Sequence, residues 1–374
     1  MRILVAVMIS MLFQSAVMAQ TDTIAASWEK QYQYTDYALL AAACKNKDML
    51  VARRTLHGAL QLTRFDASGK ERWDSVYQDF YQYGLIRYVN GLKEDEEGNF
   101  YVLINMERTD PVLGKINRNG ALLFAQPLLV LQHQKTSSYA HSMFLSDSSV
   151  ICYGVKSGRF WEGVYSTGGA VRSEMMFNLK AKNFVTDILI NSRQAPIVVT
   201  KEGTFDKYGG GESITNLMQL NYENKSLEII TSVKGKNGKL AEITNTGYAL
   251  LLDEAVLFPR QQIRLLLFDK DFLLLKNTGV FDNAAGASPF HLQAFDKDAL
   301  MIQGVKDGKL QIMLADNKGS LIRSMVYEKK DVLNVQQAFV NNRVPGCLLQ
   351  FKGELNGNDP ITAIRKKLLL FRMN

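Results

Sequence analysis

Along the chain, short apolar runs of strand length alternate with polar turns, and outside the first residues no 3.6-residue period persists over a dozen positions. Each run is bounded by Asp, Asn, Ser or Gly, which predicts hairpins rather than helices. Leu62 to Trp73 shows the unit best: Leu62-Thr63-Arg64-Phe65 ends a strand, Asp66-Ala67-Ser68-Gly69 turns, and Lys70-Glu71-Arg72-Trp73 begins the next. Asp at the first turn position can bond the backbone ahead of it, and Gly accepts a positive φ. Ile116-Asn117-Arg118-Asn119-Gly120 repeats the turn with Asn for Asp, and weaker copies begin at Tyr165, Asn221, Phe268 and Ala315. The second residue of each copy falls at 66, 117, 166, 222, 269 and 316, spacings of 47 to 56 residues. That period is one propeller blade and is too long for most helical repeats.

Four strands fit each period. In the first unit they are 37–44, 48–53, 59–65 and 70–77; in the second, 88–93, 99–106, 112–116 and 121–126. Later units start near His141, Asn183, Leu240, Phe290 and Val335. Runs such as Phe100-Tyr101-Val102-Leu103-Ile104 are apolar throughout, as expected of strands covered on both faces, and Ala41-Ala42-Ala43 suits the crowded axis of a ring. Trp28-Glu29-Lys30-Gln31-Tyr32 matches the outer strand Trp73-Asp74-Ser75-Val76-Tyr77 but has no partner before it, and 366–371 reads as a strand lacking an outer neighbour. The fold expected is therefore all-β: a seven-bladed β-propeller of four-stranded antiparallel blades, closed by the N-terminal strand completing the C-terminal blade.

The first residues read differently. Arg2, the apolar run from Ile3 to Phe13 and the small residues of Ser15-Ala16-Val17-Met18-Ala19 form a secretory signal peptide over 1–19, leaving 20–374 as a single propeller domain. Its apolar core is too short to span a bilayer, and no later stretch serves. Cys44, Cys152 and Cys347 lie in apolar strands, so they are expected to be buried and free, with a Cys44–Cys347 bond as the alternative across a closed ring. The 44 basic and 37 acidic residues give +7, which falls by one when Arg2 leaves; this suits solubility or an anionic partner, and export argues against nucleic acid.

Loops joining second to third strands share one face with the connections between units, and function gathers on such loops. Arg53, Arg54, Arg108, Arg159, Trp161, Lys207, Tyr208, Phe258 and Arg260 fall in or beside the first kind, and Tyr81, with Phe80, Tyr83, Arg87 and Tyr88, in the first connection. Cations beside aromatic rings suit a protein partner or an anionic glycan. His57, His133, His141 and His291 also fall near that face, without the spacing of a zinc site. Asp110 and Glu254 are acids that a central-channel hydrolase would bring together. No nucleophile elbow, phosphate loop or dinucleotide signature is present, and no catalytic residue, metal or cofactor is expected.

The pattern hydrophobic-x-hydrophobic-Asp-x-x-Gly-x-x-x-Trp over Leu62 to Trp73 resembles secreted propeller-repeat proteins of the Bacteroidota. A cut before Gln20 is similar to signals of that phylum. The repeat also resembles quinone-cofactor and assembly-scaffold propellers, but Trp73 follows Asp66 by one residue fewer than in that pattern. A sialidase box would need Gly two residues after Asp. The resemblance implies a binding or scaffolding module at the periplasm, outer membrane or cell surface, monomeric or in a hetero-complex, with peripheral outer-membrane association compatible. The alternatives are a glycan hydrolase or lyase and a periplasmic partner of an outer-membrane transport machine.

Overall fold

The computed structural model describes residues 21–24, 26–32, 37–129, 138–180, 183–203, 213–244, 246–257, 260–284, 290–329, 331–341, 343–352 and 364–371. These residues form strands joined by tight turns, with one 3-10 turn at Asp79–Tyr83. The proposed signal peptide over 1–19 lies outside them.

The strands make antiparallel meanders whose order in space follows their order in sequence. The first is Tyr37–Ala43, Met49–Arg54, Leu60–Phe65 and Glu71–Tyr77; the second is Ile86–Glu94, Phe100–Met106, Val112–Ile116 and Leu122–Pro127. Four sheets have four strands, one has five and one has eight. The expectation of seven separate sheets is corrected here. The eight-stranded sheet consists of meanders 138–178 and 183–234, joined edge to edge by the single parallel pair Asn178 and Ser226. The Asn178 amide donates to Lys225 O at 2.8 Å, and Tyr222 from the same hairpin lies edge-on to Phe177 at 5.4 Å. A hairpin leaning on its neighbour's outer strand thus fuses two meanders.

The innermost strands touch in sequence around a closed cycle, from Tyr37–Ala43 through Ile86–Glu94, Ser138–Leu145, Asn183–Ile190, Lys236–Ile243, His291–Ala294 and Val332–Asn341 back to Tyr37–Ala43. Packing between meanders supplies the core. Cys44, Leu50, Leu60 and Leu62 of the first meet Ile86, Phe100, Val102 and Ile104 of the second, and Ala41, Met49, Val51 and Phe65 meet Phe339 and Leu348 of the last. Such an arrangement explains the apolar second strands: Phe100–Met106 is buried at every position.

Ala26–Tyr32 pairs antiparallel with Ile364–Phe371, Trp28 standing opposite Leu370, so the two ends of the chain share one sheet. A feature absent from the sequence expectation precedes it. Thr21–Ile24 pairs in parallel with the outer strand Leu321–Tyr327 of the preceding meander, and Ile24 enters the core between these last two units. All three cysteines are buried and free, without a Cys44–Cys347 bond. Burial raises their thiol pKa values, that of Cys44 to about 12.

Candidate functional site

The connection between the first two meanders builds an exposed apolar and cationic patch. Phe80 is buried below the 3-10 turn, against the chain at Gly114, which has no side chain to obstruct the ring. With that anchor fixed, Tyr81 faces outward and its hydroxyl donates to His57 O at 2.6 Å, while Tyr83 donates to Ala125 O at 2.8 Å. Leu85 and Tyr81 lie over the turn at Gly58, and Leu85 O accepts the Glu107 amide at 2.7 Å. Leu56, Tyr81, Leu85 and Tyr88 remain 74, 38, 49 and 44 % exposed. Arg87 lies 5.3 Å from the Tyr88 ring centre, and exposed Arg108 occupies a loop position with φ 63°. Exposed apolar groups rimmed by cations mark contact surfaces.

The other expected site residues divide. Arg159 is exposed at the start of Arg159–Ser166. Trp161 is wholly buried, in a core with Tyr101, Leu103 and Cys152, so its assignment to a ligand surface is corrected: the strand is covered on both faces from Phe160 to Gly163, and only its first residue, Arg159, stays exposed. Arg54 is a clamp between meanders, donating to Ile86 O at 2.7 Å with Glu107 at 3.6 Å. Arg53 is half-buried within Met49–Arg54. Lys207, Tyr208 and Phe258 lie outside the described residues, and only the backbone of Arg260, opposite Leu257 and Ala284, is described. Asp110 accepts from Lys156 at 3.0 Å and Ser138 at 2.6 Å; the Glu254 side chain lies outside the described residues, as does His133.

A second constellation lines the axis. Six inner strands carry one or two residues more than their hairpin partners, with shifts such as Val89/Gly91, Ala140/Ser142, Val185/Asp187 and Lys236/Lys239. A bulge leaves one residue unpaired and redirects its side chain. Asn90, the extra residue of one shift, donates to the Tyr139 hydroxyl at 2.7 Å; Tyr139 lies edge-on to Tyr88 at 6.3 Å and to His141 at 4.8 Å. Lys239 sits 3.4 Å from Thr186 O and 3.9 Å from the Asp187 carboxylate. Burial, with the charge of Lys239 added, pushes His141 down to about 4. The same two influences lower His291, against the pull of the Val335 carbonyl and Asp187. Lys93, though accessible, is also lowered by the desolvation that the surrounding strands impose. The sequence reading placed His141 and His291 near one face without linking them, and did not single out Tyr139, Asp187 or Lys239. The available signal was a charge inside an apolar strand, as in Val185-Thr186-Asp187-Ile188.

Fold and site together define an all-β protein of propeller-like arrangement, with an exposed loop patch on one face and a polar belt around its axis. Two solved structures share that fold. A prolyl endopeptidase matches with TM-score 0.52 at 12 % identity, covering 86 % of this chain and 47 % of that one. A puromycin hydrolase matches with TM-score 0.50 at 10 % identity, covering 85 % and 50 %. The chain therefore spans about half the length of either. A WD40 domain from fission yeast is also similar, at 10 % identity and TM-score 0.45, over 94 % of this chain and 97 % of that one. No protein-family model and no curated protein matches the chain. Among the described residues, no helix is long and apolar enough to cross a membrane.

Proposed function

We propose that this chain is an exported seven-bladed propeller of the secreted Bacteroidota type, and that it serves as a binding scaffold at the periplasm, outer membrane or cell surface. On this reading the signal peptide is 1–19, the propeller domain is 20–374, and the eight-stranded sheet counts as two blades. The closed cycle of inner strands and the single bridge inside that sheet support the count. The observation that carries the function is the group of exposed apolar side chains Leu56, Tyr81 and Leu85 at the first connection, with Arg87, Tyr88 and Arg108 exposed on the adjoining segments. Aromatic and Arg side chains dominate the energetics of protein contacts, which favours a protein partner over a bare anion there. The glycan-hydrolase alternative has less support, because Asp110 is engaged by Lys156 and Ser138.

The test is paired affinity capture from a native envelope fraction, using the wild-type protein and a Tyr81→Ala/Leu85→Ala variant. The variant should lose at least about tenfold in captured partner, equivalent to roughly 1.4 kcal/mol, with a nearly unchanged melting temperature. Equal capture by both proteins would remove the patch from the function.

A further inference from the structure

The inner strands of three consecutive meanders end around a cavity of about 450 Å³, at the hairpin end of the axis opposite the loop patch. Small-molecule sites span about 300–1,000 Å³. Leu189 of Asn183–Ile190, Leu240 of Lys236–Ile243 and Leu292 of His291–Ala294 give the cavity apolar walls. Among the described residues that line it, Glu242 is the acid and none is basic. We propose that this cavity binds a primary ammonium group carried on a short aliphatic chain, with Glu242 as the counter-ion.

The half-buried Glu242 is oriented by the chain itself. Its Oε2 accepts the Ser192 amide and its Oε1 the Ser192 hydroxyl, both at 2.6 Å. Ser192 is fixed in turn, because Asn191 Oδ1 accepts the Arg193 and Ala195 amides at 3.1 and 2.9 Å, and the Asn191 side-chain amide donates to the Tyr248 hydroxyl at 3.2 Å. Gln293, also on the wall, commits a side-chain N–H to Ala338 O, which leaves its carbonyl as an acceptor. The fixed polar groups thus offer acceptors, and a primary ammonium brings three donors and no acceptor. A quaternary ammonium has no N–H to give and is recognised by aromatic faces, which none of these lining residues provides. A guanidinium fork needs two free oxygens on one carboxylate, and here each already takes a Ser192 donor.

Another seam of the same ring shows the arrangement with its cation in place. The turns Cys44 to Asp48 and Asn191 to Ala195 are built alike, the first amide bonding the fifth carbonyl at 2.8 and 3.1 Å. In each, the amide of the second residue reaches a glutamate on the next inner strand: Lys45 to Glu94 Oε2 at 2.6 Å, and Ser192 to Glu242 Oε2. In the first turn that second residue is a lysine, whose ammonium meets Glu96 at 2.5 Å, and Lys93 and Lys115 line the same cleft. At the cavity it is Ser192, so the chain supplies a hydroxyl where the other seam has an ammonium. An external ammonium completes the second seam as Lys45 completes the first. The proposal is independent of the loop patch, since it uses none of those side chains.

The test titrates n-butylamine, butan-1-ol and n-butylguanidine into the protein, followed by ligand-observed saturation-transfer NMR. Butylamine should bind saturably and at least about tenfold more tightly than either analogue. Glu242→Gln should weaken it by a similar factor. Ser192→Lys, which copies the Lys45 turn and places an ammonium beside the acid, should abolish the binding, while Ser192→Ala should retain it. Lysine blocked at its α-amino and carboxyl groups separates the sources. Its binding assigns the site to a side chain of a partner protein; its rejection, with butylamine still bound, assigns it to a small free amine. No saturable butylamine binding, equal or tighter binding of either analogue, or equal affinity in folded Glu242→Gln and Ser192→Lys variants would overturn the proposal. The wild-type ranking of the three probes decides the matter alone if those variants do not fold.

Discussion

At the scale of single residues, one turn chemistry recurs beyond the copies visible in sequence. Asp66 Oδ1 accepts the amides of Ser68 and Lys70 at 2.9 and 3.0 Å, and Asn117, Asp95, Asn191, Asp269 and Asp316 accept the equivalent pairs. The Ser68 hydroxyl is the main cause of the lowered Asp66 pKa, with the two backbone amides adding to it. The fourth position is left-handed throughout: φ is 85° at Gly69, 88° at Gly120 and 73° at Gly319, but 61° at the exposed Gln194. Left-handed backbone costs an L-residue about 1–2 kcal/mol, partly offset in Gly by its larger unfolded-state entropy. Gln194→Gly should therefore stabilise by up to ~1 kcal/mol. Gly69→Ala should destabilise by more than ~1 kcal/mol, because a Cβ there would also overlap the Trp28 indole. Urea midpoints at constant slope measure both; equal effects of one sign would refute the account. The glycine turns were legible because their chemistry is local. Asn191 and Asp95 were not recognised as copies because the same turn also serves the first hairpin of a unit, out of phase with the repeat.

The elements show where local signals stop. Strand positions in the first two meanders follow the alternation of apolar runs and turns closely, since each hairpin is written within a dozen residues. The inner strands begin earlier than their apolar runs, at Ile86 rather than Tyr88 and at Ser138 rather than His141, because polar residues there meet the axis or a neighbouring meander. Bulges leave no mark in composition, so the belt of Asn90, His141, Asp187 and Lys239 was invisible as a group. Trp161 was misplaced because the strand begins already at Arg159 and is covered on both faces from Phe160 to Gly163, so the loop it was assigned to ends before it. Thr21–Ile24 is the clearest omission, four residues whose partner lies some three hundred positions away. Magnitudes decide what holds it. The Asp22–Arg323 pair, at 2.7 Å, joins side chains 38 and 35 % exposed, and such pairs contribute about 0–1 kcal/mol. Ile24 is 7 % exposed in the core with Met325, Tyr327 and Phe371, and trimming a buried Ile to Ala costs about 2–5 kcal/mol. Asp22→Asn should thus leave the urea midpoint nearly unchanged, while Ile24→Ala should lower it clearly. The reverse order would mean that the strand is held by charge.

At the scale of the whole molecule, the distinctive consequence of closure is that the chain's two ends create an interface like any internal one. In a linear array the terminal contact frays first, since it has a neighbour on one side only. Here Trp28, on the first strand of the closing sheet, covers Gly69 of the first meander and lies 5.6 Å from Phe65. Trp73, one meander on, covers Gly120 and lies 6.2 Å from Phe100, with its indole N–H donating to Arg118 O at 3.2 Å. Each aromatic pair also has a cation above the phenyl ring at 5.3 Å, Lys30 over Phe65 and Arg64 over Phe100. The seam has further ties: the Gln337 amide exchanges two hydrogen bonds with the backbone of Ala41, at 2.8 and 2.6 Å. Both indoles are half-buried, so removing either should cost somewhat less than the 3–5 kcal/mol of a core Trp, about 2 kcal/mol each. Trp28→Ala and Trp73→Ala should lower stability equally and leave unfolding a single transition. A much smaller loss for Trp28→Ala, or a separate early transition in the wild-type protein, would show that the seam opens before the rest and that the propeller behaves as an open array.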